Sequence, residues 1–377
     1  MAISFLRKAS KTILVSCNVA TALLLLAGCY GSWLNPDYFW FTSLFTIAAF
    51  YFFLILLGFI IFWLFVKYRL SLISIIAIVL CWAPLSHVFR LRINEDFVVA
   101  KKDSALRVMS WNVEHFDILE HKTHPEKKQQ MVAAVNALGP DVACFQEMVA
   151  SDFSPKAINY LPDFLEWLHM PYYHYSYNPK LDFDASHRFG IIILSKYPII
   201  HKETISFPPG DYNSIFQYAD IVKYGDTFRI FNIHLQSLKF TAINRKYIED
   251  PSLKDEADLQ KSKNVLAKFK TGFFKRKKQS DHIRAEIEKS PYPVIICGDF
   301  NDVPNSYAYR TIGKGLTNAF TEKGAGIGNT FDGISPTLRI DNIFADSRFS
   351  ITQFTRTRKK LSDHFPITAD LLQVSNP

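Results

Sequence analysis

Three long stretches within the first ninety residues contain no Asp, Glu, Lys or Arg. They are residues 12–36, 38–66 and 70–89. Each stretch is long enough to cross a hydrocarbon core of about 30 Å as an α-helix. Buried helices of a soluble domain usually carry a polar face, which these stretches lack. The sequence therefore predicts a membrane anchor over residues 1–92, with the lipid bilayer as its partner. The three expected transmembrane helices lie near 12–31, 39–66 and 70–89.

Basic residues set the expected orientation of these helices. One basic group precedes the first stretch, and another lies between the second and the third. Their members are Arg7, Lys8, Lys11, Lys67 and Arg69. The positive-inside rule places both groups in the cytoplasm, so three crossings leave everything after Arg90 on the other side. In a bacterial inner membrane, this arrangement predicts a cytoplasmic N-terminus and a periplasmic C-terminal domain.

The tetrapeptide Leu-Ala-Gly-Cys at 26–29 offers an alternative for the first stretch. It follows a basic start and resembles the cleavage signal of a bacterial lipoprotein. Processing at that signal would remove the first helix and attach lipid to Cys29. The C-terminal domain would face away from the cytoplasm in either case.

Residues 101–377 alternate between predicted strands and predicted helices. Strands are expected near 105–111, 141–146, 189–194, 215–223, 227–235, 293–298, 338–344, 350–357 and 367–373. Helices are expected near 125–138, 254–270, 278–289 and 306–312. Mixed strands with intermittent helices predict an α/β fold in which two packed sheets carry helices on their outer faces. Cys144 and Cys297 lie in two of these strands, where free cysteine commonly packs as a small core residue. A disulfide between them is the alternative if their strands adjoin.

Positive charge is concentrated in one helical insertion, residues 238–290, which holds fourteen Lys and Arg against eight Asp and Glu. Its most basic part, residues 268–278, interleaves six cations with three Phe side chains between the two helices expected there. One interpretation is a solvated helical hairpin with a basic tip. The other is a tip that docks on anionic headgroups or on a polyanionic substrate, with the Phe rings entering the interface.

Six short polar clusters stand at the ends of apolar runs in this part of the chain. They are residues 110–114, 145–147, 232–237, 298–301, 339–342 and 362–364. Strands that end in this way deliver carboxylate, amide and imidazole groups to one rim. A hydrated divalent cation prefers hard oxygen ligands, and phosphoester hydrolysis needs a base for water and donors for the phosphate oxygens. The clusters together predict a metal-assisted phosphoester site.

The order of the clusters and their residue sequences resemble the motifs of the endonuclease/exonuclease/phosphatase superfamily. The resemblance covers residues 105–373. It implies a four-layer sandwich of two mixed β-sheets flanked by helices, with a catalytic domain over residues 101–377. It also implies a hydrolase that depends on Mg²⁺, with Mn²⁺ as an alternative ion. One departure is Asn342, because members of the superfamily usually have Tyr at the matching place.

The resemblance implies a set of metal ligands at the ends of three strands. Glu147 is the principal Mg²⁺ ligand, and a single carboxylate plus waters suits an ion that keeps much of its hydration shell. Asn112 lies beside the metal and the phosphate, and Glu114 assists the ion two residues later. Asp363 supplies a second carboxylate near the metal.

The resemblance also implies five catalytic roles. Asp299 orients or deprotonates the attacking water, and Asn301 holds that water or a phosphoryl oxygen. His234 contacts the phosphate or protonates the leaving oxygen, which a histidine can do near neutrality. Asp341 orients His364, and that histidine binds or protonates the phosphate in the transition state.

Asn112, Arg188 and Asn232 complete the expected site as substrate contacts. A guanidinium such as that of Arg188 is well shaped to clamp a phosphate. Asn232 alternates onto the same strand face as His234. These motifs do not identify the substrate. Nucleic acid is favoured by its frequency in the superfamily, a phospholipid headgroup or an inositol phosphate is the alternative, and an inactive membrane-tethered binding module is an alternative of another class. No protein partner is expected.

Overall fold

The computed structural model describes residues 2–93, 95–116, 122–151, 159–177, 187–206, 215–252 and 254–374. Five helices form the N-terminal part of the chain. They are α1 (Ala2–Tyr30), α2 (Pro36–Phe39), α3 (Thr42–Val66), α4 (Ser71–Leu80) and α5 (Trp82–Val88). Among the described residues, two segments are long and apolar enough to cross a membrane, Leu6–Trp33 and Thr42–Val66. Helices α4 and α5 make a third span if the bent pair is counted as one.

The expected third helix, residues 70–89, is bent by 65° between α4 and α5. Pro84 lies in the first turn of α5 and has no N–H to donate to the carbonyl of Leu80, so the helical ladder is interrupted there. The hydroxyl of Tyr30 on α1 donates to that carbonyl at 2.6 Å instead. The predicted third helix is therefore two helices with a bend between them.

Twelve strands in the described residues build the C-terminal domain. They are β1 (Ala105–Asn112), β2 (Val142–Ser151), β3 (Tyr172–Tyr177), β4 (His187–Ser195), β5 (Ile199–Ser206), β6 (Ile215–Lys223), β7 (Asp226–His234), β8 (Val294–Asp299), β9 (Thr317–Asn318), β10 (Asp341–Ala345), β11 (Phe349–Arg356) and β12 (Ile367–Gln373). The helices between them are α6 (Lys127–Leu138), α7 (Leu161–Trp167), α8 (Ala242–Glu249), α9 (Glu256–Glu288), α10 (Tyr307–Ile312) and α11 (Ala319–Lys323).

The strands form two six-stranded mixed sheets, in the orders β11-β12-β1-β2-β4-β3 and β5-β6-β7-β8-β10-β9. Alternate residues of each strand point to opposite faces. In β1, Val108 packs into the core between the sheets, whereas Met109 packs outward against α6 and α7. In β7, Ile230 faces the same central core and Phe231 packs outward against α9 and α10. The predicted architecture of two mixed sheets flanked by helices is confirmed.

Three strands that the sequence analysis did not predict, β3, β5 and β9, lie at sheet edges. Edge strands need only one apolar face, so their hydrophobic pattern is weak. Cys144 and Cys297 pack in the central core as free thiols, so the disulfide alternative is wrong.

The basic insertion contains α8 and one continuous helix, α9, so the two predicted helices with a basic tip between them are wrong. The predicted break included Gly272, which costs about 1 kcal/mol in a helix interior relative to Ala. Here Gly272 is buried, and a Cβ at this position would lie 2.5 Å from Leu238 Cδ2. The close packing that glycine permits outweighs its low helix propensity, and residues 268–278 lie in the middle of α9.

The C-terminal domain packs against the end of the anchor that is remote from the basic residues. Tyr51 on α3 and Ser335 share a hydrogen bond of 2.8 Å between their hydroxyls. Asn305 Nδ2 donates to the carbonyl of Pro84 at 2.7 Å. Lys277 on α9 pairs with Asp37 on α2 at 3.1 Å. These contacts hold the domain against α2, α3 and α5, so its position relative to the anchor is fixed by side chains of both.

Candidate active site

A cavity of about 430 Å³ opens where the two sheets meet, at the ends of β1, β2, β8 and β10. Seven of the predicted site residues line it: Asn112, Glu114, Glu147, Asp299, Asn301, Asp363 and His364. A larger cavity of about 970 Å³ lies between the anchor and the domain, but none of the predicted site residues lines it. The smaller cavity is therefore the candidate active site.

Strand register brings the polar clusters together. In the parallel pair β7–β8, His234 lies opposite Asp299, and in the antiparallel pair β8–β10, Asp341 lies opposite the same residue. In the first sheet, the parallel pair β1–β2 sets Asn112 beside Gln146. Because these strands end at one rim, clusters far apart in sequence become neighbours in space.

Asp299 is the hub of the site and is almost fully buried. Its Oδ2 accepts hydrogen bonds from Asn112 Nδ2 at 3.2 Å and from Asn301 Nδ2 at 3.1 Å. His234 Nε2 lies 3.5 Å from the same oxygen, and His364 Nε2 lies 3.7 Å from it. Burial raises the pKa of Asp299, and repulsion from Asp341 raises this pKa further, while the two histidines oppose the shift. A carboxylate with a raised pKa between two imidazoles is suited to proton transfer.

His364 and Asp341 form a buried pair. Their Nδ1 and Oδ2 atoms are 2.8 Å apart, which fixes the ring and leaves Nε2 directed toward Asp299. Burial alone would lower the pKa of His364, but the carboxylates of Asp341 and Asp299 raise this pKa well above its ordinary value. His364 therefore holds a proton near neutrality, as a general acid must.

Asp341→Asn removes the charge that raises the pKa of His364. We expect kcat to fall by about tenfold or more, the lower range for an acid–base group. Because the raised pKa keeps His364 protonated at higher pH, its loss should move the alkaline limb of the pH–rate profile to lower pH. The measurement is kcat against pH, with His364→Ala as the comparison that removes the limb. An unchanged profile in a folded Asp341→Asn protein would contradict this positioning role.

Glu147 occupies a strained position at the cavity wall. The register of β2 against β4 shifts between Phe145 and Met148, which marks a bulge, and Glu147 has a φ of 57°. A non-glycine residue in the left-handed region stores strain, and such residues cluster at functional sites. Burial would raise the pKa of Glu147, but His115, His234 and the Asn112 amide hold it below its ordinary value. Glu147 is therefore ionised, as a metal ligand must be.

Three further carboxylates, those of Glu114, Glu147 and Asp363, line the cavity. Burial raises the pKa of Glu114, and repulsion from Asp363 raises it further. Burial also raises the pKa of Asp363, and Glu147 and Asp299 add to that rise. A cation would relieve this repulsion, and carboxylate oxygens are the ligands that Mg²⁺ prefers.

Among the described residues, the group of His, Asp or Glu side chains with ligand atoms within 4.8 Å of one another is Asp299, Asp341 and His364. The hydrogen bond between His364 and Asp341 already occupies one ring nitrogen and one carboxylate oxygen. This hydrogen bond suits Asp341 and His364 to proton transfer beside Asp299.

Two predicted substrate contacts are not brought to the cavity. Asn232 is fully buried between the sheets, where its Nδ2 donates to the carbonyls of Phe145 at 3.0 Å and Ile192 at 2.8 Å. Its amide thus joins β7 to β2 and β4. Arg188 lies on β4 opposite Ala150, with its guanidinium 5.3 Å from the centre of the Tyr177 ring, and it is not among the described residues that line the cavity.

Two residues that the sequence analysis did not single out lie at the site. His115 Nε2 is 3.3 Å from Glu147 Oε2, and Arg245 on α8 lines the cavity. His115 directly follows Glu114, and this adjacency was the signal from which His115 could have been predicted as a site residue. Arg245 sits among many basic residues of the insertion and had no distinguishing pattern. Its charge lowers the pKa of Asp363, which places it near the carboxylates and makes it the better-placed candidate for a phosphate contact.

Asn342, the departure from the superfamily pattern, is buried on β10. Its Oδ1 accepts a hydrogen bond from Asn318 Nδ2 at 3.0 Å, and its own Nδ2 donates to the carbonyl of Ile340 at 3.2 Å. The amide therefore ties β10 to β9, the neighbouring strand. The site retains a hydrogen-bonded support at this position without an aromatic ring.

Comparisons with known proteins place these features in context. The profile of the Endonuclease/Exonuclease/phosphatase family matches residues 109–364, and that of a domain of unknown function matches residues 11–88. An endonuclease/exonuclease/phosphatase from Bacteroides vulgatus is 17% identical with a TM-score of 0.51, and the match covers 72% of this chain and 99% of that one. This likeness concerns the fold alone.

Two further solved structures show similar coverage. A family protein from Bacteroides thetaiotaomicron is 18% identical with a TM-score of 0.49, covering 72% of this chain and 98% of that one. D. rerio TDP2, complexed with a single-strand DNA product, is 18% identical with a TM-score of 0.48, covering 71% and 99%. No curated protein matches the chain.

Proposed function

Because the chain belongs to the endonuclease/exonuclease/phosphatase family, we propose that it is a membrane-anchored, Mg²⁺-dependent phosphodiesterase that cleaves its substrate by attack of water. One observation carries the proposal. Asp299 lies between His234 and His364, at 3.5 Å and 3.7 Å, beside a strained and ionised Glu147. This combination provides a base, an acid and a hard anionic ligand within one cavity.

Each side chain of the site has its own role in the proposed hydrolysis. Asp299 accepts the proton of the attacking water, and Asn301, held at 3.1 Å from the same carboxylate, positions that water. His364, oriented by Asp341, donates a proton to the leaving oxygen, and His234 contacts the phosphate. Glu147, with Glu114 and Asp363, would hold a Mg²⁺ ion, which would neutralise charge on the phosphoryl oxygens. Arg245 adds a cation for a phosphate oxygen.

Other functions have less support in the site. An inactive tethered binding module needs no intact acid, base and ligand set, and every one of those groups is present here. The expectation of nucleic acid as the substrate rests on its frequency in the superfamily and stays a prediction. A phosphomonoester is the alternative substrate, since the same groups can serve the hydrolysis of both ester classes.

The anchor is proposed to span a membrane three times, with the basic end in the cytoplasm. Two observations support this. The residues of α1 and α3 at the basic end, including Arg7 and Lys11, come together around one cavity of about 450 Å³. The domain contacts lie away from that end, at Asp37 on α2 and at Tyr51 in the first half of α3. A reporter fused after the last residue should therefore be active as alkaline phosphatase and inactive as a cytoplasmic fluorophore; the reverse pattern would overturn the orientation.

The ester class is tested with two small substrates. Detergent-solubilised full-length protein with Mg²⁺ is expected to hydrolyse bis-p-nitrophenyl phosphate with a higher kcat/KM than p-nitrophenyl phosphate. Both substrates release p-nitrophenolate, so the difference reflects the phosphate itself, which carries one negative charge in the diester and up to two in the monoester beside the carboxylates of the site. A higher kcat/KM for the monoester would make the protein a phosphatase, and the diesterase assignment would be wrong.

A further inference from the structure

The active-site cavity has an apolar half that the proposed chemistry does not use. Beyond the carboxylates, its wall is made by hydrophobic side chains from four parts of the chain. They are Ile47, Leu238, Phe240, Phe269, Ile334 and Leu338. Hydrolysis of a small, fully hydrated phosphodiester needs none of these contacts. An apolar wall continuous with a phosphoester site instead fits a substrate that is itself half apolar.

One of these wall residues belongs to the anchor. Ile47 lies five residues into α3, roughly 8 Å along the helix axis from its first residue, and α3 is apolar and long enough to cross a membrane. Tyr51, one turn further on, shares its hydrogen bond with Ser335 in the loop that carries Ile334. The cavity therefore extends from the carboxylates directly to the surface of a transmembrane helix.

Basic side chains around the cavity indicate where the lipid headgroups of a membrane would lie relative to it. Lys239 and Arg245 line its mouth and are exposed. Lys270 on α9 lies 5.5 Å from the ring of Trp40, at the junction of α2 and α3. Tryptophan and basic residues favour the membrane–water interface, and near-surface cations attract anionic lipids. The middle of α9, predicted as a free tip, thus lies against the anchor at headgroup level.

We infer that the apolar half of the cavity binds the hydrocarbon part of a membrane phospholipid whose phosphodiester is the bond cleaved. This inference rests on the proposed function and names its substrate class. The cavity volume of about 430 Å³ accommodates a headgroup and the first part of a chain, because ligand sites commonly span about 300–1,000 Å³. The rest of the lipid stays in the bilayer beside α3.

The reaction on such a lipid balances with water alone. The water oxygen forms the new bond to phosphorus, and one of the two ester P–O bonds breaks. The departing oxygen takes a proton, so the products are an alcohol and a phosphomonoester. Neither an oxidant nor a second substrate is required.

Ile47→Trp fills the passage between the cavity and α3 and tests the inference. Full-length protein in mixed micelles of phosphatidylethanolamine and phosphatidylglycerol should show a kcat/KM for lipid lower by about tenfold, the effect of overpacking by roughly 1.4 kcal/mol. Its kcat/KM for lipid should fall by more than its kcat/KM for bis-p-nitrophenyl phosphate, because only the lipid needs the passage to α3. Ile55→Trp is the matched control, because Ile55 is 49% exposed on the same helix and does not line the cavity.

The outcomes separate this inference from the proposed function. If the wild type hydrolyses bis-p-nitrophenyl phosphate but not the micellar lipids, or prefers a single-stranded oligonucleotide, the lipid inference is overturned and the phosphodiesterase stands. If Ile47→Trp and Ile55→Trp behave alike on lipid, the apolar wall has no role in binding. If neither substrate is cleaved by folded wild type, the proposed function itself fails.

A binding measurement covers the case in which Ile47→Trp does not fold. Phosphatidylcholine with a photoactivatable diazirine on one acyl chain, incorporated with Glu147→Gln protein, should crosslink to the peptide that contains Phe240. This residue lies in the soluble domain, so lipid that merely surrounds the anchor would not label it. Labelling confined to the peptides of α1, α3 and α4 would overturn the inference.

Discussion

Replacing Asp299 with Asn should lower kcat for bis-p-nitrophenyl phosphate by about 10²-fold or more, the scale of a lost acid–base group. The carboxylate accepts from Asn112 and Asn301 through one oxygen, and an amide cannot accept the proton of the attacking water. The matched control is Asp220→Asn, a buried carboxylate on β6 paired with Arg229 at 2.6 Å and remote from the cavity. That variant should be less stable to heat and retain wild-type kcat. Near-wild-type turnover of a folded Asp299→Asn protein would show that this residue is not the base.

Glu147→Gln should lower activity at limiting Mg²⁺ by about 10²-fold, because one ligand charge is lost while the side-chain shape is kept. High Mg²⁺ should restore part of the rate, which distinguishes weakened metal binding from lost chemistry. The measurement is initial rate against Mg²⁺ concentration, and Glu126→Gln serves as control because its side chain is 55% exposed. Wild-type rates in Glu147→Gln at limiting Mg²⁺ would remove Glu147 from the metal site.

The main elements of the domain were predictable because its buried strands carry long apolar runs. Strands β1, β7 and β8 begin within two residues of their predicted starts. Between β6 and β7, Gly225 has a φ of 94°, which glycine tolerates. Sheet order did not follow from the sequence, because it depends on pairings between strands as distant as β1 and β12.

The site was predictable where a polar cluster ends a buried strand. Asp299 and Glu147 lie in the cavity for that reason. Strand alternation places Asn232 and His234 on the same face of β7, and this pattern was misleading for Asn232. At Asn232 that face still points into the interior between the two sheets, and it reaches the cavity only further along the strand. There the amide pairs with Gln146, whose Nε2 donates to Asn232 Oδ1 at 2.8 Å. A polar residue on the correct face can thus be a buried crosslink and not a ligand contact.

Tertiary contacts decided what local patterns could not. The sequence of the basic stretch of α9 is typical of a solvated surface. Arg276 in its centre is nevertheless buried and pairs with Asp302 at 2.9 Å. Its Nη1 also donates to the carbonyl of Gln236 at 3.0 Å. The approach of Ile47 to the apolar half of the cavity is likewise invisible in sequence, since about 190 residues separate Ile47 from Leu238, the next of the apolar wall residues along the chain.

Metal removal and restoration test the central claim most directly. Purified full-length protein is treated with chelator, and hydrolysis of bis-p-nitrophenyl phosphate is followed before and after Mg²⁺ or Mn²⁺ is added, with Asp299→Asn prepared in parallel. We predict no hydrolysis in chelator, recovery with either ion, and no comparable recovery in Asp299→Asn. A rate that persists without metal, or that is equal in wild type and Asp299→Asn, would contradict a metal-dependent phosphodiesterase at this site.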